Sequence, residues 1–76
     1  MEKIYEILNE LHPEYDFRAS DDYIRDGYLD SLDVVSLVSE LENAFDILID
    51  ALDILPENFA NAQMIGNVVT KNGGTL

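Results

Sequence analysis

No cysteine occurs among the 76 residues, which excludes both a disulfide framework and a thiolate zinc site. A single histidine, His12, leaves no cluster for a metal or a catalytic triad. Cations are scarce: 4 Lys and Arg stand against 16 Asp and Glu, a formal charge of -12. Such a surface repels nucleic acid and anionic membranes and steers the chain toward basic partners, at some cost in self-repulsion. No apolar run approaches the roughly 18 residues of a membrane span. No leader-like segment precedes the first charged stretch, so the expectation is a cytoplasmic monomer. A chain this short buries only about 60 % of its unfolded surface, which argues against a large enclosed active site.

What is present is periodic order. Apolar residues make up 47 % of the chain, and their spacing favours a folded domain over an acidic disordered tail. Ile4, Ile7, Leu8 and Leu11 recur at helical spacing opposite Glu2, Lys3, Glu6, Asn9 and Glu10, and Pro13 ends the helix they define. From Glu14 to Leu29 the order is irregular, with Tyr15, Phe17, Tyr23, Ile24, Tyr28 and Leu29 set among acids and Gly27. This stretch reads as a long loop pinned by aromatic and aliphatic anchors, and loops of that length are usually functional or disordered.

Asp30 is placed to cap the next helix, since its carboxylate can accept from the free N–H groups two or three residues on. That helix carries an apolar stripe of Val34, Leu37, Val38, Leu41, Ala44, Phe45 and Leu48, with Asp33, Ser36, Glu40 and Asn43 opposite. Its β-branched Val34, Val35 and Val38 lower its intrinsic propensity, so tertiary packing has to hold it. Pro56 suits the first turn of a short helix through Phe59. Asn61 can cap a last helix with Met64, Ile65, Val68 and Val69 inward and Lys71 at its negative end. Gly66 in its interior costs about 1 kcal/mol relative to Ala. Ile47 and Ile49 mimic a strand, but no partner strand exists elsewhere.

Few groups are arranged for chemistry. Asp22, Asp26, Gly27, Asp30 and Asp33 fall at positions 1, 5, 6, 9 and 12 of a calcium-loop register. Position 3 is Ile24, which offers no side-chain oxygen, and position 12 is an Asp where a bidentate Glu is wanted. Carboxylate pairs such as Asp30 with Asp33 are expected by chance in so acidic a chain, and no nucleophile, base and oxyanion site assemble. Ser31 lacks an adjacent base, so it reads as an acceptor rather than an agent. A phosphodiester formed there has its charge favoured by the helix dipole and the free N–H groups.

With its flanks included, Asp30-Ser31-Leu32-Asp33, preceded by Gly27 and followed by VVSLVSELENAFDI, resembles the phosphopantetheine attachment site and second helix of acyl carrier proteins. The resemblance runs from Ile4 to about Lys71 and is tightest from Asp26 to Ile49. It implies an all-α, small acyl-carrier-like four-helix bundle of three main helices and one short one. The carrier domain spans 1–71 and a flexible tail spans 72–76. It implies no catalysis by the chain itself. Ser31, flanked by Asp30 and Leu32, accepts a 4'-phosphopantetheine arm from coenzyme A through a phosphopantetheinyl transferase and magnesium. Asp33, Ser36, Glu40 and Glu42 become docking residues for acyl-loading and acyl-processing enzymes with basic patches, in fatty-acid, polyketide or related biosynthesis.

Two features depart from the family. Tyr28 stands where a small or aliphatic residue is usual, and IDALDILPENF is more apolar than the corresponding approach to the third helix in fatty-acid carriers. Leu29-Asp30-Ser31 also resembles D-alanyl carriers, although Asp33 is an acid they commonly lack, so an aminoacyl carrier is the alternative. Outside the class, the alternatives are an acidic helical interaction module and a weak calcium binder. Asp33 and the lack of a Gly-Gly-His-Ser core favour an acyl cargo, which a bundle can shelter between helices while a charged amino group stays outside.

Overall fold

The first apolar stripe becomes α1, Glu2–Leu11, with Ile4, Ile7 and Leu8 buried. The computed structural model describes residues 1–76, and two further helices follow, α2, Ser31–Phe45, and α3, Ala62–Lys71. There is no strand. Each helix turns one stripe inward: Val34, Leu37, Val38 and Leu41 from α2, and Ala62, Ile65, Val68 and Val69 from α3. Phe17, Tyr23, Leu29, Ile49 and Phe59 from the connections complete a single core. The radius of gyration, 11.0 Å, matches the roughly 11 Å expected of a compact chain of this length. No helix is long and apolar enough to cross a membrane.

The expected fourth helix is not α-helical. Ala51–Asp53 and Pro56–Phe59 are two short 3-10 turns, the second with Pro at its start and Phe59 fully buried against α2 and α3. A tightened turn suffices here because one buried aromatic anchors the segment, and too few residues lie between Pro56 and the Asn61 cap for a stable α-helix.

Leu48 also departs from the expected stripe. It lies outside the α2 stripe and is 84 % exposed. The helix ends at Phe45 because Asp46 turns left-handed, with φ at 55°, and the N–H groups of Asp46 and Ile47 both close on the Glu42 carbonyl. Glycine is the usual residue in that conformation, and an aspartate at position 46 does not mark a helix stop by its type.

Gly66 has a packing reason: a Cβ there would lie 3.2 Å from Leu76 and 3.3 Å from Met1. The glycine lets both chain ends close over α3. The tail expected at 72–76 is tied down at its start, since Asn72 Oδ1 accepts the Asp50 N–H at 3.1 Å and the Gly74 N–H reaches the Val69 carbonyl at 2.9 Å.

Leu41 is fully buried whereas its neighbour Glu40 is exposed. Leu41→Ala is expected to destabilise the fold by about 2 to 5 kcal/mol, and Glu40→Ala to leave it nearly unchanged. Urea unfolding of both variants checks this, and equal midpoints would mean that the faces of α2 are reversed.

Candidate functional site

The loop between α1 and α2 is built around Tyr23. Its carbonyl accepts the N–H groups of Tyr28 and Leu29 at 2.8 and 3.1 Å, and its own N–H reaches the Ala60 carbonyl at 2.6 Å. Its phenol donates to the Phe17 carbonyl at 2.7 Å, and burial pushes its pKa up to about 12. Gly27, with φ at 77°, supplies the left-handed turn within this closure. Tyr28 stacks on Tyr15 at 4.5 Å and meets the edge of Phe17 at 5.5 Å. The anchors expected from the sequence therefore fix the chain up to Leu29, which is buried.

From Leu29 the chain passes directly into an exposed helix start. Asp30 is extended and Asp33 lies one turn on, and together they form a reciprocal capping box. The Asp33 N–H donates to Asp30 Oδ1 at 2.9 Å, and the Asp30 N–H donates to Asp33 Oδ2 at 3.0 Å. The cap leaves the Ser31 hydroxyl out, and Ser31 is exposed at the first helical position. Leu32 beside it is 77 % exposed.

His12 braces this helix start from the end of α1. Its Nδ1 lies 3.1 Å from Glu14 Oε2, and its buried Nε2 lies 2.9 Å from Asp33 Oδ1 without an aligned hydrogen bond. Asp33, followed by Glu14, raises the His12 pKa above 6.5 against the opposing effect of burial. Partial burial works to raise the Asp33 pKa, but the Asp30 N–H and His12 outweigh it and hold the carboxyl below 3.8. His12 thus sits between Glu14 and the capping-box carboxylate of Asp33, which favour its protonated form. Lone in the sequence, it gave no sign of this role.

The expected docking residues separate. Ser36 and Glu40 are exposed on α2. Asp33 is half-buried in the cap just described. Glu42 is also half-buried, and its carboxylate accepts the Ile49 N–H at 2.9 Å, so it secures the chain leaving α2 instead of facing solvent. Val35, 63 % exposed, belongs with Leu32 on the outward face. Its position off the 34, 37, 38, 41 stripe was the signal that marked it.

The calcium register is not assembled. Asp22 accepts the Arg25 N–H, Asp26 bonds Ser20 and Arg25, and Asp30 and Asp33 close on each other. No group of three or more His, Asp or Glu side chains converges on a common point. Comparison with protein-family models, with characterised proteins and with solved structures finds no match to this chain.

Two outcomes test this geometry. Asp30→Ala removes the cap and is expected to cost about 0.5 to 2 kcal/mol, measured by urea unfolding. Because folding raises the His12 pKa, its contribution is complete below 6.5 and is lost as pH climbs through the raised folded value. The Asp33 contribution runs the other way, complete above 3.8 and lost as pH falls through its lowered value. Stability should therefore decline as pH rises above 6.5, and His12→Gln should flatten that decline, which unfolding midpoints across the range will show.

Proposed function

We propose that this chain is a carrier protein that presents acyl groups as thioesters on a 4'-phosphopantetheine arm attached to Ser31. The observation that supports this most is the helix start itself. In DGYLDSLD the neighbouring Asp30 does the capping, so the serine hydroxyl is exposed, uncommitted and held on a rigid frame at the positive end of α2. A phosphodiester there gains from the dipole and needs no base from the chain, because the transferase supplies the chemistry and the arm supplies the thiol. Tethering makes each later encounter effectively intramolecular. The three-helix core with its 3-10 turns is compatible with a small acyl-carrier-like bundle, and the reading implies a cytoplasmic protein.

The aminoacyl alternative also has support. Leu37, Leu41, Phe59, Ile65 and Val69 are sealed at zero exposure, and the surface hollows are lined in part by charged side chains such as Glu10, Glu40, Arg18 and Glu57 rather than by this inner layer. A small or polar cargo held outside the bundle requires no opening of that core.

Incubation with coenzyme A, magnesium and a broad-specificity phosphopantetheinyl transferase should add a single phosphopantetheinyl group to wild type and none to Ser31→Ala. Intact mass spectrometry reads this directly, and an unmodified wild type beside an active control removes the carrier reading. Glu40→Lys should leave folding intact yet lower the transferase's second-order rate and flatten its salt dependence. Glu42→Lys should also destabilise, since it breaks the bond to Ile49.

A further inference from the structure

One imidazole ring meets two acids where α1 ends. His12 stands just past the last residue of α1, and its backbone N–H bonds the Leu8 carbonyl. Its Nδ1 lies 3.1 Å from Glu14 Oε2 in the turn that follows, and its Nε2 lies 2.9 Å from Asp33 Oδ1 in the first turn of α2. A protonated imidazole has two N–H donors, whereas a neutral one has a single N–H and a lone pair on its other nitrogen. Whichever nitrogen keeps the proton, one of the two carboxylates then faces a lone pair at short range. Only the charged ring meets both.

Alignment decides which contact fails. The Nδ1 contact with Glu14 is aligned for a hydrogen bond, while Nε2 is buried and makes none. The neutral ring therefore keeps its proton on Nδ1 and turns its Nε2 lone pair toward Asp33. The Asp33 side chain is only 22 % exposed, and its second oxygen holds the Asp30 N–H. It cannot retreat from the lone pair without straining the cap.

No cation substitutes for the ring. Asp33 from α2 and Glu14 from the turn are the charged groups that face it, Asp30 reaches it only through Asp33, and Tyr15 is its aromatic neighbour at 5.5 Å between centroids. Arg18, Arg25 and Lys71 are paired with other acids, and Lys3 lies over the Phe45 ring.

We propose that His12 is a proton-operated latch on the start of α2. Charged, it ties the end of α1 to Asp33 and keeps the Asp30–Asp33 cap closed around Ser31. Neutral, it repels the Asp33 carboxylate, and the first turn of α2 opens locally while the core stays packed. Histidine is the side chain suited to make this change near neutral pH. The latch acts on the turn that presents Ser31, whether or not that hydroxyl carries an arm.

The experiment follows full-length, nitrogen-15-labelled wild type by nuclear magnetic resonance from about pH 5 to about pH 9. With one histidine in the chain, both ring nitrogens are read directly. The neutral ring is expected to carry its proton on Nδ1, the opposite of free histidine in water, and a proton on Nε2 overturns the proposal. Amide protection at Asp33 and Val34, whose N–H groups close on Asp30, is read after correction for intrinsic exchange. It should fall about threefold or more as the ring loses its proton. Met64 and Ile65, held in the same way by Asn61 at the start of α3, should keep their protection. Equal losses at both helix starts overturn the latch, because they report loosening of the whole fold. His12→Gln should make the Asp33 and Val34 protection independent of pH, and a wild-type profile in that variant overturns the proposal. Glu14→Gln, at an exposed position, removes one of the two acids that require the charged ring without touching the cap. It should lower the His12 titration midpoint, and an unchanged midpoint counts against the latch even if His12→Gln fails to fold.

Discussion

The Asp33 carboxylate is in use on two sides at once. One oxygen accepts the Asp30 N–H and the other faces His12, while the residue's own N–H closes on the Asp30 carboxylate. Through these contacts the end of α1, the incoming loop and the first turn of α2 share one junction. Burying part of a carboxylate there is unfavourable in itself, and the Asp30 N–H and the His12 ring beside it offset that cost. The consequence for Ser31 is indirect. Because the acids do the capping, the hydroxyl has no structural duty and stands free on a fixed backbone.

The loop before that junction does without secondary structure by substituting aromatic packing. Tyr15, Phe17, Tyr23 and Tyr28 form a stacked and edge-on cluster, and the Tyr23 carbonyl and N–H join the loop both to its own end and to the turn at Ala60. This cluster adds apolar area to a chain too short to draw a sufficient core from its helices alone. It also accounts for Tyr28 beside the serine motif. A smaller residue there would leave Tyr15 without its stacking partner.

Charge is sorted along the chain as well as in total. The few cations are spent near the chain ends and in the first loop, where they join segments: Arg18 to α1 through Glu2, and Lys71 to the 3-10 turn through Asp53. The middle of the chain, from the loop end through α2 and the turns, is left anionic. Exposed ion pairs of this kind contribute little to stability, so the uneven distribution matters more for what the surface attracts than for how well it folds.

Much of this was legible in the residues. Apolar spacing placed all three helices, Asp30 and Asn61 were recognisable as caps, and the aromatic loop was recognisable as anchored, because these follow from local chemistry and a period of 3.6. The exposed position of Ser31 followed from the same cap. Periodicity could not tell where α2 would stop, since a left-handed Asp46 depends on the carbonyl of Glu42 and on where Ile49 must go to reach the core. It therefore misplaced Leu48, and it could not show that Glu42 is tied to the backbone while Glu40 is not. Nor could it join His12 to Asp33, which are distant in the chain and meet only when α1 packs beside the start of α2. Sequence determined the elements and the exposed serine at the start of α2 by local rules, and the tertiary structure decided which acids remain free at the surface, because that depends on neighbours brought together only by packing.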